Sequence, residues 1–265
     1  MVLSLRTTHE RVVVDGVGID ACTEQQVVAV VRRALDRGVG GRIITPNVDI
    51  LRQARTDGEV RGYLTDASLV VADGMPLVWA ARLAGTPLPQ RVAGAALVWS
   101  LARGLAGDGR SVYVLGGEPA AAGPDGAACA AHRLAAAAPG LRIAGTHSPA
   151  YGFERDPAAY AQVRARVVDS RPDLVYVGLG FPKQERVISA LRADLPGAWF
   201  LGCGMAVNFV AGQRARAPEW MQRAGLEWAH RLASEPRRLA SRYVRHDAPY
   251  ALRLLARAAL TRGRR

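Results

Sequence analysis

The chain has 265 residues, 49% hydrophobic and 22% charged, a balance that excludes a disordered chain and leaves room for one main domain plus an appendage. Its formal net charge is +12, and residues 223–265 hold 11 arginines against Glu227, Glu235 and Asp247, so +8 of that charge sits in the tail. Cys22, Cys129 and Cys203 are far apart and form no CxxC pair, which excludes a disulfide framework or a zinc knuckle and suits a reducing cytosol.

The first residues, MVLSLRTTHE, lack an apolar leader core with a cleavage site, and no stretch reaches 18 uninterrupted apolar residues; neither a signal peptide nor a membrane span is expected. RVVVDGVGID (11–20) sets apolar residues around Asp15-Gly16, the strongest short signal for a two-residue hairpin. CTEQQVVAVVRRALDRG (22–38) follows with Thr23 as helix N-cap, apolar residues at helical spacing and Gly38 as the stop. Six β-rich runs then alternate with helical stretches: 42–45, 68–72, 111–115, 141–145, 173–180 and 198–204. Helices are expected over 47–63, 75–84, 92–106, 119–138, 157–170, 183–193 and 217–233. This alternation predicts βαβ units and a mainly parallel sheet flanked by helices.

The strand ends carry the chemistry. Thr45-Pro46-Asn47, Asp73-Gly74, Gly116-Gly117, Gly178 to Gly180 and Gly202 to Gly204 all fall where a strand gives way to a helix. In an open α/β sheet that edge is where ligands bind, because glycine admits close backbone approach and helix N-termini present free N–H groups. Asp73 ends the apolar run VVADGMPLVW (70–79), which places an acid on the rim of such a crevice. Two readings stand there, a catalytic carboxylate and an N-cap for the helix starting near Met75. Gly116-Gly117 reads either as a tight turn or as a phosphate contact. Lys183, Gln184 and Glu185 read either as part of the edge or as a solvated first helical turn.

Nucleotide fingerprints are incomplete: Gln184 follows the sole lysine, so no GK[ST] loop exists, and neither GLGFPK nor GCGMAV completes GxGxxG. No DxD pair or HExxH pattern occurs, so no metal ligand is assigned. The tail after Trp220 mixes arginine with Leu226, Trp228, Leu232, Leu239, Tyr243, Leu252 and Leu255, on helices expected to break near Pro236 and Pro249. That composition fits an interfacial helix on an anionic membrane. It also fits an amphipathic helix packed on its own domain, while nucleic acid has no recognition motif in its favour.

TPNVDIL (45–51), VVADGMPLVWAARLAG and RVAGAAL (70–97), VYVLGG (112–117), YGF (151–153), LVYVGLGFPKQE (174–185), and GCGMAVNFVAGQRARAPEWMQRAGLEWAHRL with EPRRLASRY (202–243) together resemble the WecG/TagA/CpsF glycosyltransferases. The resemblance implies a Rossmann-like α/β core over residues 1–222 with a small N-terminal hairpin, and a basic helical segment over 223–265 that associates with the membrane and closes the site. It implies inverting, metal-independent and cofactor-free transfer of a sugar such as ManNAc, ManNAcA or Glc from a UDP-sugar to a polyprenyl-diphosphate-linked saccharide. The enzyme would be cytoplasmic, at the inner face of the plasma membrane, and would serve wall teichoic acid, capsule or exopolysaccharide synthesis. A homo-oligomer is left open. By position, Asp73 matches the family's catalytic base, with Thr45 and Asn47 beside it. Arg91 and Gln184 fall in the substrate pocket, Tyr151 and Asn208 by the nucleotide, and Arg231, Arg238 and Arg242 over the donor diphosphate; Gly116, Gly117, Gly178 and Gly180, from the strand-end reading, are added as substrate-binding positions. Asp49 and Asn208 depart from the family's usual Glu and Asp, and Cys203 from a small aliphatic residue that only packs.

Two other readings use the same features: a nucleotide-dependent enzyme of another class, such as an NAD-linked oxidoreductase, and a noncatalytic membrane adaptor whose working part is the tail.

Overall fold

The computed structural model describes residues 10–262, without the side chains of Arg238 and Arg262. The leader-free reading of the first nine residues therefore lies outside the described residues. β1 (Arg11–Val14) and β2 (Val17–Asp20) pair antiparallel across the turn at Asp15 (φ 47°) and Gly16 (φ 84°), the two positive φ angles that the Asp-Gly pair supplies. Asp20 Oδ2 then accepts from Val70 N–H at 2.7 Å, fixing this hairpin against the sheet. α1 (Glu24–Asp36) opens with a complete capping box between Thr23 and Gln26, as its sequence predicts.

Six parallel strands form the main sheet: β3 (Gly41–Ile44), β4 (Leu69–Val70), β5 (Ser111–Gly116), β6 (Arg142–His147), β7 (Leu174–Gly178) and β8 (Trp199–Gly202), in the order β4-β3-β8-β7-β5-β6. The expected Rossmann-like class is thus what the chain adopts. The inner strands are apolar at successive positions because both faces are covered. Ile43, Val112, Val114, Leu174, Tyr176, Trp199 and Leu201 pack against α1, α5 (Gly94–Ala106), α6 (Gly126–Ala137) and α9 (Ala206–Ala211). Their neighbours face the other way. Tyr113, Leu115, Val175, Val177 and Phe200 pack on α7 (Pro157–Ser170) and α8 (Lys183–Asp194). Ile44 and Val70 pack with the hairpin, α2 (Val48–Thr56), α3 (Gly58–Asp66) and α4 (Met75–Leu83).

Several boundaries differ from the sequence reading. The helix expected over 47–63 is two, because Asp57 accepts from Glu59 and Val60 N–H (2.8 and 3.3 Å) and starts a second helix. The helix expected from 119 begins at Gly126, where Asp125 caps it through Ala128 N–H at 2.8 Å. The one expected over 217–233 splits into α10 (Glu219–Arg223) and α11 (Glu227–Ser234) at Gly225, whose φ is 74°. α9 has no counterpart among the expected helices; six residues between left-handed glycines are too few to show a period. Pro236 does start a new helix, α12 (Pro236–Arg242), but Pro249 breaks nothing. A π turn over Tyr243–Asp247 widens the backbone just before it and leads into α13 (Ala248–Arg262); the wider turn absorbs the hydrogen bond that proline cannot make.

The tail packs on its own domain. Leu239, Tyr250 and Leu254 are buried, and the last two join the core of the hairpin and α4. Tyr250 Oη donates to Asp15 Oδ2 at 2.6 Å, and Arg257 and Arg55 pair with the same carboxylate at 3.4 and 3.1 Å.

Candidate active site

After β4 the chain stays tied to its neighbour: Val71 N–H donates to Ile44 O and Asp73 N–H to Pro46 O, each at 3.0 Å. Asp73 is thereby held beside Thr45 and Asn47, just past the end of β3. It does not cap the helix that follows it, because Gly74 is the N-cap of α4 and no side chain bonds there. Asp73 Oδ2 instead accepts from Gly94 N–H at 3.3 Å, so the carboxylate faces the positive end of α5. Gly94 has to be small. A Cβ on it would lie 2.9 Å from Thr45 Oγ1 and 3.8 Å from Asp73 Oδ2, which shows how closely hydroxyl, carboxylate and helix start converge. Asn47 contributes locally by capping α2, its Oδ1 accepting from Ile50 N–H at 3.1 Å.

Arg91 binds this acid to the tail. Its Nε donates to the Asp73 carbonyl, its Nη1 to Gln222 O (3.2 Å), and its Nη2 to both Asp73 Oδ1 (3.3 Å) and Glu227 Oε2 (2.6 Å). Arg216 Nε reaches the other Glu227 oxygen at 3.3 Å. Arg91 and Glu227 side chains are each 15% exposed, whereas Asp73 keeps 29%, so the catalytic candidate is the member of the chain open to solvent. Burial pushes the Asp73 carboxyl above the ordinary range; Arg91 opposes the rise and Glu227 adds to it, with Gly94 N–H pulling the other way. A raised carboxylate pKa is the direction a general base requires. For Glu227 burial also acts upward, but the hydrogen bond from Arg91 and the charge of Arg216 outweigh it and keep the group ionised.

The ends of β5, β7 and β8 form a second, glycine-lined stretch of the same edge. A Cβ on Gly116 would strike Gly178 O at 2.4 Å, and one on Gly178 would strike Val207 Cγ2 at 2.5 Å, so these strand ends approach backbone to backbone and against α9. Gly117 abuts Gly126 in the same way, and Gly180 faces open space. Gln184 and Glu185 are buried, which overturns the reading of that segment as a solvated helical turn. Gln184 Oε1 accepts from Gly204 N–H at 3.1 Å and Nε2 donates to Glu185 Oε1 at 3.3 Å, joining the β7 and β8 loops. Asn208 is buried, its Nδ2 donating to Gln213 Oε1 (3.3 Å), which also accepts from Glu118 N–H (3.2 Å). Cys203 packs against the first core, and burial pushes its thiol up to about 12.

The remaining candidates lie outside these two groups. Tyr151, in the loop after β6, is 80% exposed. Arg231 on α11 is half-buried and has no ion-pair partner among the described residues. Arg242 pairs with Asp49 (3.6 Å) and Asp247 (3.3 Å), pinning the π turn to the first turn of α2. The side chain of Arg238 lies outside the described residues. A mostly apolar cavity of about 570 Å³ opens elsewhere, between the hairpin turn, α4 and α13, with Val13, Ala80, Leu254 and Arg257 in its wall. It contains neither Asp73 nor the glycine edge. Glu227, Arg216 and Gln213 are the contributors that sequence reasoning did not single out. Their signal lay inside quoted runs, without a spacing that tied any of them to Asp73.

Residues 12–265 match the Glycosyl transferase WecG/TagA/CpsF family. The chain belongs to this family. It is therefore a glycosyltransferase, as its sequence motifs led us to expect. Two curated relatives carry the name N-acetylglucosaminyldiphosphoundecaprenol N-acetyl-beta-D-mannosaminyltransferase. One, from Bacillus spizizenii, is 31% identical over 204 residues, 77% of this chain and 75% of the relative. The other, from Bacillus subtilis, is 31% identical over 202 residues, 76% and 75% of the two lengths. The family match spans every element from the hairpin to α13, including the helices that carry Glu227 and Arg242.

Proposed function

We propose that this glycosyltransferase moves N-acetylmannosamine, or a closely related sugar, from a UDP-sugar to a polyprenyl-diphosphate-linked saccharide, with inversion and without a metal. The observation that carries the reading is the carboxylate of Asp73: partly open, raised in pKa, and held by Arg91 and Gly94 N–H beside Thr45 at the carboxyl edge of the sheet. The names of the two relatives supply the sugar and acceptor classes.

In this mechanism the acceptor hydroxyl gives its proton to Asp73 as its oxygen bonds to the anomeric carbon. The bond from that carbon to the diphosphate breaks on the opposite face, and its electron pair leaves with UDP. Thr45 orients the acceptor hydroxyl. The departing charge is met by N–H groups of the glycine edge and by guanidinium groups from the tail, Arg231 among them. Tyr151 offers its exposed ring to the uracil, and Asn208 lies on the donor side. No DxD pair is present to hold a divalent ion, which favours arginine over metal for this charge.

Residues 223–265 also dock the enzyme on the inner face of the plasma membrane. Leu226, Trp228, Val244, Leu252 and Leu260 are exposed in a segment rich in arginine, the pairing of apolar and cationic groups that anionic bilayers attract. Among the described residues no helix is long and apolar enough to cross a membrane.

The test is a panel of UDP-sugars with a short-chain lipid-diphosphate N-acetylglucosamine acceptor, reading UDP release and the anomeric configuration of the product. UDP release with one donor and an inverted product is expected. Asp73→Asn should lower kcat at least ~10²-fold with an unchanged Tm; a fully active variant would remove the base from the mechanism.

A further inference from the structure

Arg91 presents a difficulty for the base assigned above. A guanidinium against a carboxylate normally depresses that carboxylate's pKa, and a depressed Asp73 would be a poor acceptor of the hydroxyl proton. Yet Arg91 is built into the site: it grips the Asp73 backbone carbonyl and one carboxylate oxygen together, which fixes where the acid points. The structure reconciles the two demands through a second carboxylate. Arg91 Nη2 is 2.6 Å from Glu227 Oε2 but 3.3 Å from Asp73 Oδ1, so the stronger pairing is with the tail.

We propose that Glu227 is a positioning residue for the transfer: it takes up the charge of Arg91 so that the guanidinium orients Asp73 and leaves its carboxylate free to receive the proton. The proposal rests on the reading of Asp73 as base and adds the device that keeps it one. Asp73 is faced by Arg91 from the loop after α4, by Glu227 from α11 and by Gly94 N–H from α5; Glu227 is faced by Arg91 and by Arg216. Glu227 is joined to Asp73 by hydrogen bonds through this shared nitrogen, and it lies on the tail, 136 positions from Arg91 in sequence. The seating of α11 against Arg91 and the tuning of the base are therefore coupled. A chain with α11 displaced would leave Arg91 to Asp73 alone and the acid less basic.

Glu227→Gln keeps the hydrogen-bonding shape and removes the charge. Activity rises with pH as Asp73 loses its proton, so loss of a neighbouring negative charge moves this acidic limb of kcat to lower pH, and the weaker base lowers the plateau roughly 3- to 10-fold. Glu227→Asp, which keeps the charge, restores the limb. Arg216→Gln frees Glu227 of its other cation and moves the limb the opposite way, to higher pH; it decides the matter if Glu227→Gln does not fold. A folded Glu227→Gln variant whose limb stays with the parent overturns the proposal, as does an unmoved limb in Arg216→Gln. Asp73→Asn run alongside separates the two levels: an active Asp73→Asn removes the base itself, whereas an inactive one beside an unmoved Glu227→Gln limb removes only the role of Glu227.

Discussion

Glu185 offers a stability test whose sign runs against habit. It is fully buried in the first turn of α8, with Arg42 Nη1 3.7 Å from its Oε2 and both side chains at most 1% exposed. That distance is too long for a hydrogen bond, and Glu185 Oε2 and Arg42 Nε have no hydrogen-bond partner among the described residues. Arg42 Nη1 donates instead to Ser189 Oγ at 3.0 Å, and Nη2 to the Tyr63 carbonyl and Asp66. Burial therefore outweighs the attraction of Arg42, and the Glu185 pKa rises from the ordinary 4.5 to about 7. A raised carboxyl binds its proton more tightly in the folded chain, so the stability it contributes is present below about 4.5 and is lost as pH climbs through about 7.

At about 1.4 kcal/mol per pH unit the loss between those limits comes to roughly 3 kcal/mol as an order of magnitude. Glu185→Gln imitates the protonated acid and removes the dependence. The variant and the parent should run together near pH 4.5, and by pH 8 the variant should be ahead by up to about 3 kcal/mol. With an unfolding entropy near 2.1 cal/mol/K per residue, that gap corresponds to about 5 °C in Tm. Denaturation of both proteins from pH 4.5 to 8, followed by circular dichroism, reads the difference directly. Other raised groups, Asp247 among them, cancel in the comparison. Parallel curves, or a parent that gains on the variant as pH rises, would refute the reasoning, because either would mean that Arg42 outweighs burial.

Gly94→Ala places a methyl 2.9 Å from Thr45 Oγ1; displacing that hydroxyl should lower kcat at least ~10-fold with little change in Tm, and an unaffected kcat would take Thr45 out of the site. Leu254→Ala empties a position that is 3% exposed between α13 and α4, and urea titration should show a loss of about 3 kcal/mol. Asp247 is raised to about 6 by burial and by Asp49, so Asp247→Asn should gain stability relative to the parent as pH rises through 6, checked by paired melts at pH 5 and 7.5. Trp228→Ala with Leu252→Ala should weaken sedimentation with anionic vesicles at least ~10-fold while leaving Tm within a degree or two; unchanged sedimentation would exclude that face from docking.

Local rules made much of this protein legible. The hairpin turn, the Thr23 capping box and the alternation of strands with helices each depend on residues a few positions apart, and each is where the sequence put it. The acid at the end of β4 was legible for the same reason, since a charge that ends an apolar run has to lie at the rim. What stayed hidden depends on long-range pairing. Lys183-Gln184-Glu185 looks like any polar first turn until Arg42, 143 positions away on β3, is seen facing it. Glu227 is one acid among arginines until Arg91 is found across the sequence. Pro249 looks like a helix end because proline lacks an N–H, and only the preceding π turn makes it harmless.

The tail's double use of its helices decides how its role has to be tested. Leu239, Tyr250 and Leu254 are core residues, whereas Trp228, Val244 and Leu252 stand 51%, 67% and 69% exposed. Removing residues 223–265 would strip Tyr250 and Leu254 from the hairpin and α4 and would release Arg91 from Glu227. A truncated chain that fails on a lipid-linked acceptor would therefore report lost packing and a loosened base as readily as lost membrane contact. Substitutions confined to the outer set leave the inner contacts intact. If docking is what the outer set does, such variants should fail on acceptor held in a bilayer and work normally on a short-chain acceptor in solution. Equal loss on both would place the tail's contribution inside the site alone.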